Sequence, residues 1–178
     1  LTLLKPITWF PPMWAFACGS ITGSQKIEQN LAIFLLGLIL TGPLVCASSQ
    51  AVNDWYDRHV DAINEPDRPI PSGRIPGNWG LYIAIIWSLV SLWVASFLGA
   101  IGFLATVLAL VLAWLYSMPP IRLKQNGWFG NFACSISYEG LAWITGAALL
   151  SSTLSPSHPS LMFAALYSIG AHGIMTLN

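Results

Sequence analysis

Long apolar stretches separated by short polar segments organise this chain. The longest uncharged stretch, residues 75–121, has room for two membrane spans of about 20 residues each. A backbone in hydrocarbon must satisfy its own hydrogen bonds, and the short alternating segments of a membrane barrel are absent, so we predict helices. The pattern predicts an all-α polytopic bundle of about six transmembrane helices, at residues 7–24, 31–52, 79–97, 101–117, 130–150 and 160–177.

Composition supports a membrane setting. Of the 178 residues, 55% are hydrophobic and 8% are charged, whereas a soluble domain has about 25% charged residues. We therefore predict a lipid bilayer, and no nucleic acid, as the surroundings of most of the chain. The three cysteines fall in apolar stretches without metal-like spacing, so we interpret them as packing residues.

The basic residues predict the orientation. With a cytoplasmic N-terminus, the outside loops hold only Lys26, and all other basic residues lie inside: Lys5, Arg58, Arg68, Arg74, Arg122 and Lys124. This distribution follows the positive-inside rule and places the acidic segment on the cytoplasmic side of the membrane. The sequence begins without a charged segment and cleavage site, so we expect no signal peptide.

The acidic segment after the second predicted span carries the candidate chemistry. Five of the seven acidic residues lie there: Asp54, Asp57, Asp61, Glu65 and Asp67. Asn53, Asp57 and Asp61 follow one another at intervals of four, and four residues drift only about 40° around a helix. Such a carboxylate cluster needs a cation, and a sparse all-oxygen set suits Mg²⁺. We predict Asp54, Asp57 and Asp61 as metal ligands and, with Asn53, as the catalytic group.

Basic residues beside this segment suit an anionic substrate. Arg58, Arg68 and Arg74 lie near the acids, and Arg122 with Lys124 lies in a second loop on the same predicted side. A metal bridging carboxylates to a diphosphate, with arginine forks on the free oxygens, accounts for both sets. Two structural alternatives stay open: a solvated helix end with acid–arginine pairs, and basic residues that only anchor the topology.

Glu139 is the charged residue of the fifth predicted span. Ionisable groups inside a membrane are costly and usually functional or paired. We predict Glu139 and its neighbour Tyr138 as part of a second substrate pocket. His172, in the sixth predicted span, is left without an assigned role.

The string NDWYDRHVD, Asn53 to Asp61, resembles the first aspartate motif of the UbiA-type intramembrane prenyltransferases. The strings DAINEPDRPIPSGRIPG, LKQNGWFGN and YEGLAWITGAALL are similar to its bacteriochlorophyll synthase branch, with the chlorophyll synthases as near relatives. The resemblance implies a helical bundle around a cavity, with Mg²⁺ and a prenyl diphosphate (geranylgeranyl or phytyl) at its cytoplasmic mouth. It also implies bacteriochlorophyllide as the acceptor, esterified on its propionate.

The resemblance further implies one transmembrane domain over residues 1–178 and a second aspartate motif, beginning Asn-Asp, of which Asn178 would be the first residue. Association with other pigment-synthesis or photosynthetic membrane proteins is a further expectation. Two alternatives remain at this point: a prenyltransferase acting on a quinone or haem precursor, and a divalent-cation transporter. A transporter is disfavoured because only Glu139 supplies an acid near the bilayer midplane.

Overall fold

The computed structural model describes residues 1–152 and 155–173, which form helices and loops without a β-strand. The predicted all-α fold is confirmed. The α-helices are α1 (Phe10–Ile21), α2 (Leu31–Ile39), α3 (Ala47–Asn64), α4 (Trp79–Ser96), α5 (Gly99–Ser117), α6 (Gly127–Cys134), α7 (Leu141–Leu149) and α8 (His158–Gly173). The π-helical segments Leu40–Cys46 and Ser135–Gly140 join α2 to α3 and α6 to α7. Six helical rods result within the described ranges.

Within the described residues, three of these rods are long and apolar enough to cross a membrane: Ile27–Asn64, which contains α2 and α3, then α4 and α5. Large apolar side chains on α4 and α5, such as Trp93 and Leu104, are exposed on the outside of the bundle. Lipid tails can cover such apolar surfaces, whereas a soluble protein rarely exposes extended apolar patches. The chain is an integral membrane protein.

The predicted ends of the spans agree best with the helix ends in the structure where the apolar stretch is sharply bounded in sequence. The helices α4 and α5 match their predicted spans to within two residues. The second predicted span ended too early, because the helix continues through the acidic segment to Asn64. Helix α8 begins at His158, and residues 174–177 of the sixth predicted span lie outside the described residues.

The first predicted span is shorter than expected. Helix α1 starts at Phe10 and places Pro11 and Pro12 in its first turn. Proline is tolerated there because the first amides of a helix have no intrahelical acceptor. These two prolines therefore begin the helix and do not interrupt it.

Helices α1 and α7 pack backbone to backbone through small residues. Each helix carries an alanine and a glycine four residues apart, Ala15 with Gly19 and Ala142 with Gly146. A Cβ added to Gly19 would lie 2.0 Å from the carbonyl oxygen of Trp143, and one on Gly146 would lie 2.3 Å from a backbone oxygen of α1. Membrane helices approach this closely only through such small residues, so this contact fixes α7 against the N-terminal helix.

The two π-helical segments shape the interior. Pro43 lies in the first of them, and its carbonyl oxygen accepts a hydrogen bond from the indole of Trp87 on α4 at 2.9 Å. The second contains Tyr138 and Glu139. Single π-turns inside α-helices occur often at functional sites, and here both segments contribute to the wall of the same cavity.

Candidate functional site

A cavity of about 720 Å³ lies among α1, α3, α5, α8 and the α6–α7 rod. Most of its wall surface is apolar, although half of the lining residues carry a polar side-chain group. The polar groups include Gln50 and Asn53 of α3, together with Tyr138, Glu139 and His172. This size and composition are typical of a site for a small organic ligand.

Asp57 and Asn53 form the first half of a charged cluster. The Lys124 Nζ lies 2.5 Å from both carboxylate oxygens of Asp57 and donates to Asn53 Oδ1 at 3.2 Å. The Arg122 guanidinium donates to Asp57 at 3.2 Å, and the Ser117 hydroxyl donates to Asn53 Oδ1 at 3.1 Å. The loop after α5 is thereby tied to the middle of α3.

Asp54 and Asp61 form the second half. Asp54 is 2% exposed, and its Oδ1 accepts from Lys5 Nζ at 2.6 Å. Arg68 lies 3.5 Å from the same oxygen and donates to Asp61 at 2.9 Å. Arg68 also donates two bonds to the Glu65 carboxylate, which lowers the pKa of Glu65 and raises the pKa of Arg68 itself. One arginine therefore holds three carboxylates.

Helix geometry explains this division into pairs. Asp54 and Asp61 are seven residues apart, which is nearly two full turns, so they lie almost directly above one another. Asn53 and Asp61 are eight residues apart and differ by about 80° around the axis. All four residues lie within about 100° of the helix surface, and on this face they divide into two pairs. Asn53 and Asp57 share Lys124, and Asp54 and Asp61 share Arg68.

Two of the cationic residues have an unusual backbone conformation. Lys5 has φ of 44° and Arg122 has φ of 39°, and within the described ranges they are the only residues other than glycine with positive φ. This left-handed conformation costs a non-glycine residue about 1–2 kcal/mol. Such strain is typical of functional sites, where the surrounding structure enforces it. Both residues bind the aspartates of α3.

The cluster contains four carboxylates, Asp54, Asp57, Asp61 and Glu65, and four cations, Lys5, Arg68, Arg122 and Lys124. Among the described residues, no three acidic, histidine or cysteine side chains converge closely enough to hold a metal ion. One buried acceptor is nevertheless open, because Asp54 Oδ2 has no hydrogen-bond partner. The all-oxygen set has the chemistry that Mg²⁺ prefers. Because no convergent group is present among the described residues, the metal assignment stays a prediction.

The structure does not bring Arg58 and Arg74 to the charged cluster. Arg58 donates to the carbonyl oxygen of Trp55 at 2.6 Å, and its guanidinium lies 4.0 Å from the centre of the Trp55 ring. Arg74 is exposed and donates to the Asp67 carbonyl and to Ser72. Their predicted contact with phosphate is untested.

Tyr138 and Glu139 both line the cavity, as expected for a second pocket. The Tyr138 hydroxyl accepts from the Gln50 amide at 2.8 Å and lies 3.3 Å from the Ser49 hydroxyl. Glu139 is 1% exposed, and its Oε2 lies 2.7 Å from His172 Nδ1. The contact has the distance of an ion pair but lacks the angles of a regular hydrogen bond.

Sequence reasoning missed three partners of the site. Lys5 is 49 positions from Asp54, and no local periodicity connects them. Gln50 precedes Asp54 by four residues on α3, so a helical projection of this segment would have found it. Ser117 ends α5 and gave no signal, because a lone serine at a helix end is common.

The chain belongs to the UbiA prenyltransferase family, whose pattern matches residues 3–178. It is 59% identical over 180 residues to the bacteriochlorophyll synthase 33 kDa chain of Rhodobacter capsulatus, covering 100% of this chain and 59% of that protein. It is 41% identical over 188 residues to the chloroplastic chlorophyll synthase of Oryza sativa, covering 100% of this chain and 49% of that protein. The chain thus spans about half to three fifths of these relatives' length.

A solved structure has the same fold. A UbiA homologue from Archaeoglobus fulgidus, determined with GPP and Mg²⁺ bound, superposes with a TM-score of 0.76 at 23% sequence identity. The superposition covers 96% of this chain and 60% of that one. At this identity the likeness establishes the fold, and the predicted UbiA-type bundle is confirmed.

Proposed function

We propose that the whole protein esterifies the propionate of bacteriochlorophyllide with a prenyl group from geranylgeranyl or phytyl diphosphate and releases diphosphate. One observation carries this proposal. Asn53 lines the apolar cavity and also accepts from Lys124 in the charged cluster. A ligand with a metal-bound anionic head and a long apolar tail matches a cluster of carboxylates and cations that adjoins an apolar cavity.

The charged cluster is the proposed diphosphate site. Arg68, Arg122 and Lys124 each carry donors suited to phosphate oxygens, and arginine forks match phosphate geometry. Asp54, Asp57 and Asp61, with Asn53, are the proposed Mg²⁺ ligands, and the open Asp54 Oδ2 supports this choice. Bound Mg²⁺ supplies Lewis-acid stabilisation of charge on the departing diphosphate.

The reaction needs no strong general base. The bond between the allylic carbon and the diphosphate oxygen breaks, and the electron pair leaves with the diphosphate. The propionate of the acceptor has a carboxyl reference pKa near 4 and is already anionic at neutral pH, so its oxygen bonds the allylic carbon directly. The basic residues act by stabilising negative charge on the leaving group.

The acceptor assignment rests on the relatives. Identity is 59% to a protein named for bacteriochlorophyll synthesis and 41% to one named for chlorophyll synthesis. A chlorophyllide acceptor is therefore the second candidate, and a quinone or haem precursor is more remote. The proposed setting is a bacterial inner membrane, with the charged cluster on the cytoplasmic side, beside other pigment-synthesis proteins.

An acceptor competition assay tests the proposal. The full-length protein in membranes is supplied with labelled geranylgeranyl or phytyl diphosphate and equal amounts of bacteriochlorophyllide, chlorophyllide and a quinone precursor. We expect prenyl ester on bacteriochlorophyllide in at least tenfold excess and no transfer after chelation of Mg²⁺. Transfer mainly to the quinone precursor, or undiminished transfer in chelator, would contradict it.

A further inference from the structure

Glu139 and His172 form a buried acid–imidazole pair that the proposed transfer does not use. Glu139 lies in the π-helical segment of the α6–α7 rod and is 1% exposed. His172 lies on α8, and its Nδ1 faces Glu139 Oε2 at 2.7 Å. An acid in a membrane interior is costly without a role or partner. No general base is required by an anionic propionate, so proton removal does not account for the pair.

The second ring nitrogen of His172 is free to meet a ligand. The histidine lines the 720 Å³ cavity, and 14% of its side chain is exposed. Nδ1 is shielded from solvent, and Nε2 is not among the shielded unpaired atoms. In the part of the chain that the structure describes, no hydrogen bond to Nε2 is present. The Glu139 carboxylate thus lies at ion-pair distance from Nδ1, and Nε2 is the nitrogen of this cavity-lining histidine that remains available.

A carboxylate behind a histidine is a recurring arrangement in metal binding. The carboxylate fixes the ring orientation and tautomer and makes the opposite nitrogen a better ligand. Neutral imidazole is a common ligand of metals, including those held in tetrapyrroles. The macrocycle supplies four nitrogen ligands in its plane, so an axial position remains for one protein ligand.

We propose that His172 Nε2 is the axial ligand of the central metal of the tetrapyrrole acceptor, oriented by Glu139. The inference rests on the proposed function, because it names how that acceptor is held. The contact fixes one face of the macrocycle against α8. It also makes the site selective for metallated over metal-free tetrapyrroles of the same shape. His172 and Glu139 are binding and positioning residues; the bonds broken and formed do not involve them.

The experiment uses the full-length protein in detergent with two acceptors of matched shape, zinc bacteriochlorophyllide and its metal-free form. Affinity is measured for each, and the absorption spectrum of the zinc pigment reports its coordination number. For the native protein we expect at least tenfold tighter binding of the zinc pigment and a spectral shift towards five-coordinate zinc. His172→Leu should reduce the preference to less than about threefold with an unchanged KM for prenyl diphosphate.

Two further variants separate ligation from structure. Imidazole added to His172→Gly should restore the preference and the five-coordinate spectrum, which a merely structural role would not allow. Glu139→Gln should weaken the preference less than His172→Leu does. His158→Leu, the same change at an exposed position of the same helix, should behave as the native protein.

Failure of this inference is distinguishable from failure of the proposed function. Equal binding and esterification of both pigments by the native protein would overturn the inference and leave the function standing. A preference retained in His172→Leu would do the same. If His172→Leu does not fold, the native spectrum decides, and four-coordinate zinc in the bound pigment would overturn the inference. Binding of neither pigment, with transfer to another acceptor, would overturn the function itself.

Discussion

Lys124 Nζ bridges both carboxylate oxygens of Asp57, with 2.5 Å to each. The same ammonium reaches Asn53 on the previous turn of α3 at 3.2 Å. The loop after α5 therefore contacts α3 at the point where the charged cluster adjoins the cavity. Under the proposed function, Lys124 holds Asp57 before the donor binds and then offers its charge to a phosphate oxygen.

Lys124→Met is expected to lower kcat/KM for the prenyl diphosphate at least tenfold, equivalent to about 1.4 kcal/mol of transition-state stabilisation. The change removes a cation from the proposed leaving-group site and leaves Asp57 with Arg122 alone. Steady-state kinetics of the full-length protein measures the effect. Lys26→Met is the matched control, because Lys26 is exposed in the loop after α1. Equal losses in both variants would contradict a specific role.

Lys5→Met is expected to destabilise the fold by about 1–3 kcal/mol, because it leaves a buried acceptor without its nearest donor. Asp54 keeps only Arg68, at 3.5 Å. The double variant Lys5→Met/Asp54→Asn should recover part of the loss, since the uncompensated charge is gone. Thermal unfolding in detergent measures the loss of stability in Lys5→Met, in Asp54→Asn and in the double variant. A loss in the double variant equal to the sum of the two single losses would contradict coupling between the residues.

Gly19→Ala is expected to destabilise the protein by about 1–3 kcal/mol through overpacking. Its Cβ would lie 2.0 Å from the Trp143 carbonyl oxygen, and neither backbone can move without separating α1 from α7. Gly170→Ala on α8 is the matched control, since a Cβ there meets nothing within 4 Å. Alanine is a better helix former than glycine by about 0.5–1 kcal/mol, so this variant should be neutral or more stable. Equal melting points for the two variants would argue against the close packing.

Tyr138→Phe is expected to weaken binding of the acceptor about fivefold while leaving the KM for prenyl diphosphate unchanged. The change removes the hydroxyl that accepts from the half-buried Gln50 amide at 2.8 Å, so a polar group of the cavity wall loses its hydrogen-bond partner. Separate titrations of the two substrates measure the effect. A larger effect on the donor than on the acceptor would contradict the assignment of Tyr138 to the acceptor side.

Much of the fold was readable from hydropathy. The span containing α4 was predictable because Trp79 follows a polar, glycine- and proline-rich loop and because the stretch after it is uniformly apolar. The end of α3 was not predictable in this way. Its second half is amphipathic, so its hydropathy falls although the helix continues to Asn64.

The composition of the charged cluster was predictable, but its pairing was not. Their density and predicted side of the membrane identified six charged residues, and the structure joins these in two salt-bridged groups along α3. The groups are Asp54 and Asp61 with Arg68, and Asp57 with Arg122 and Lys124. The partners Lys5 and His172 were out of reach. Each meets an acid far away in sequence, and tertiary packing alone creates such contacts.

The dependence of turnover on Mg²⁺ in Asp57→Asn tests the central claim most directly, namely that carboxylates of α3 hold the metal on the diphosphate. Diphosphate release by the full-length protein is followed across a Mg²⁺ titration, with Asp67→Asn as the control in the same acidic segment. The account predicts that Asp57→Asn lowers the maximal rate at least a hundredfold, or about 2.7 kcal/mol. The half-saturating Mg²⁺ concentration should also rise, and Asp67→Asn should match the native protein. Native rate and native Mg²⁺ dependence in Asp57→Asn would contradict the account.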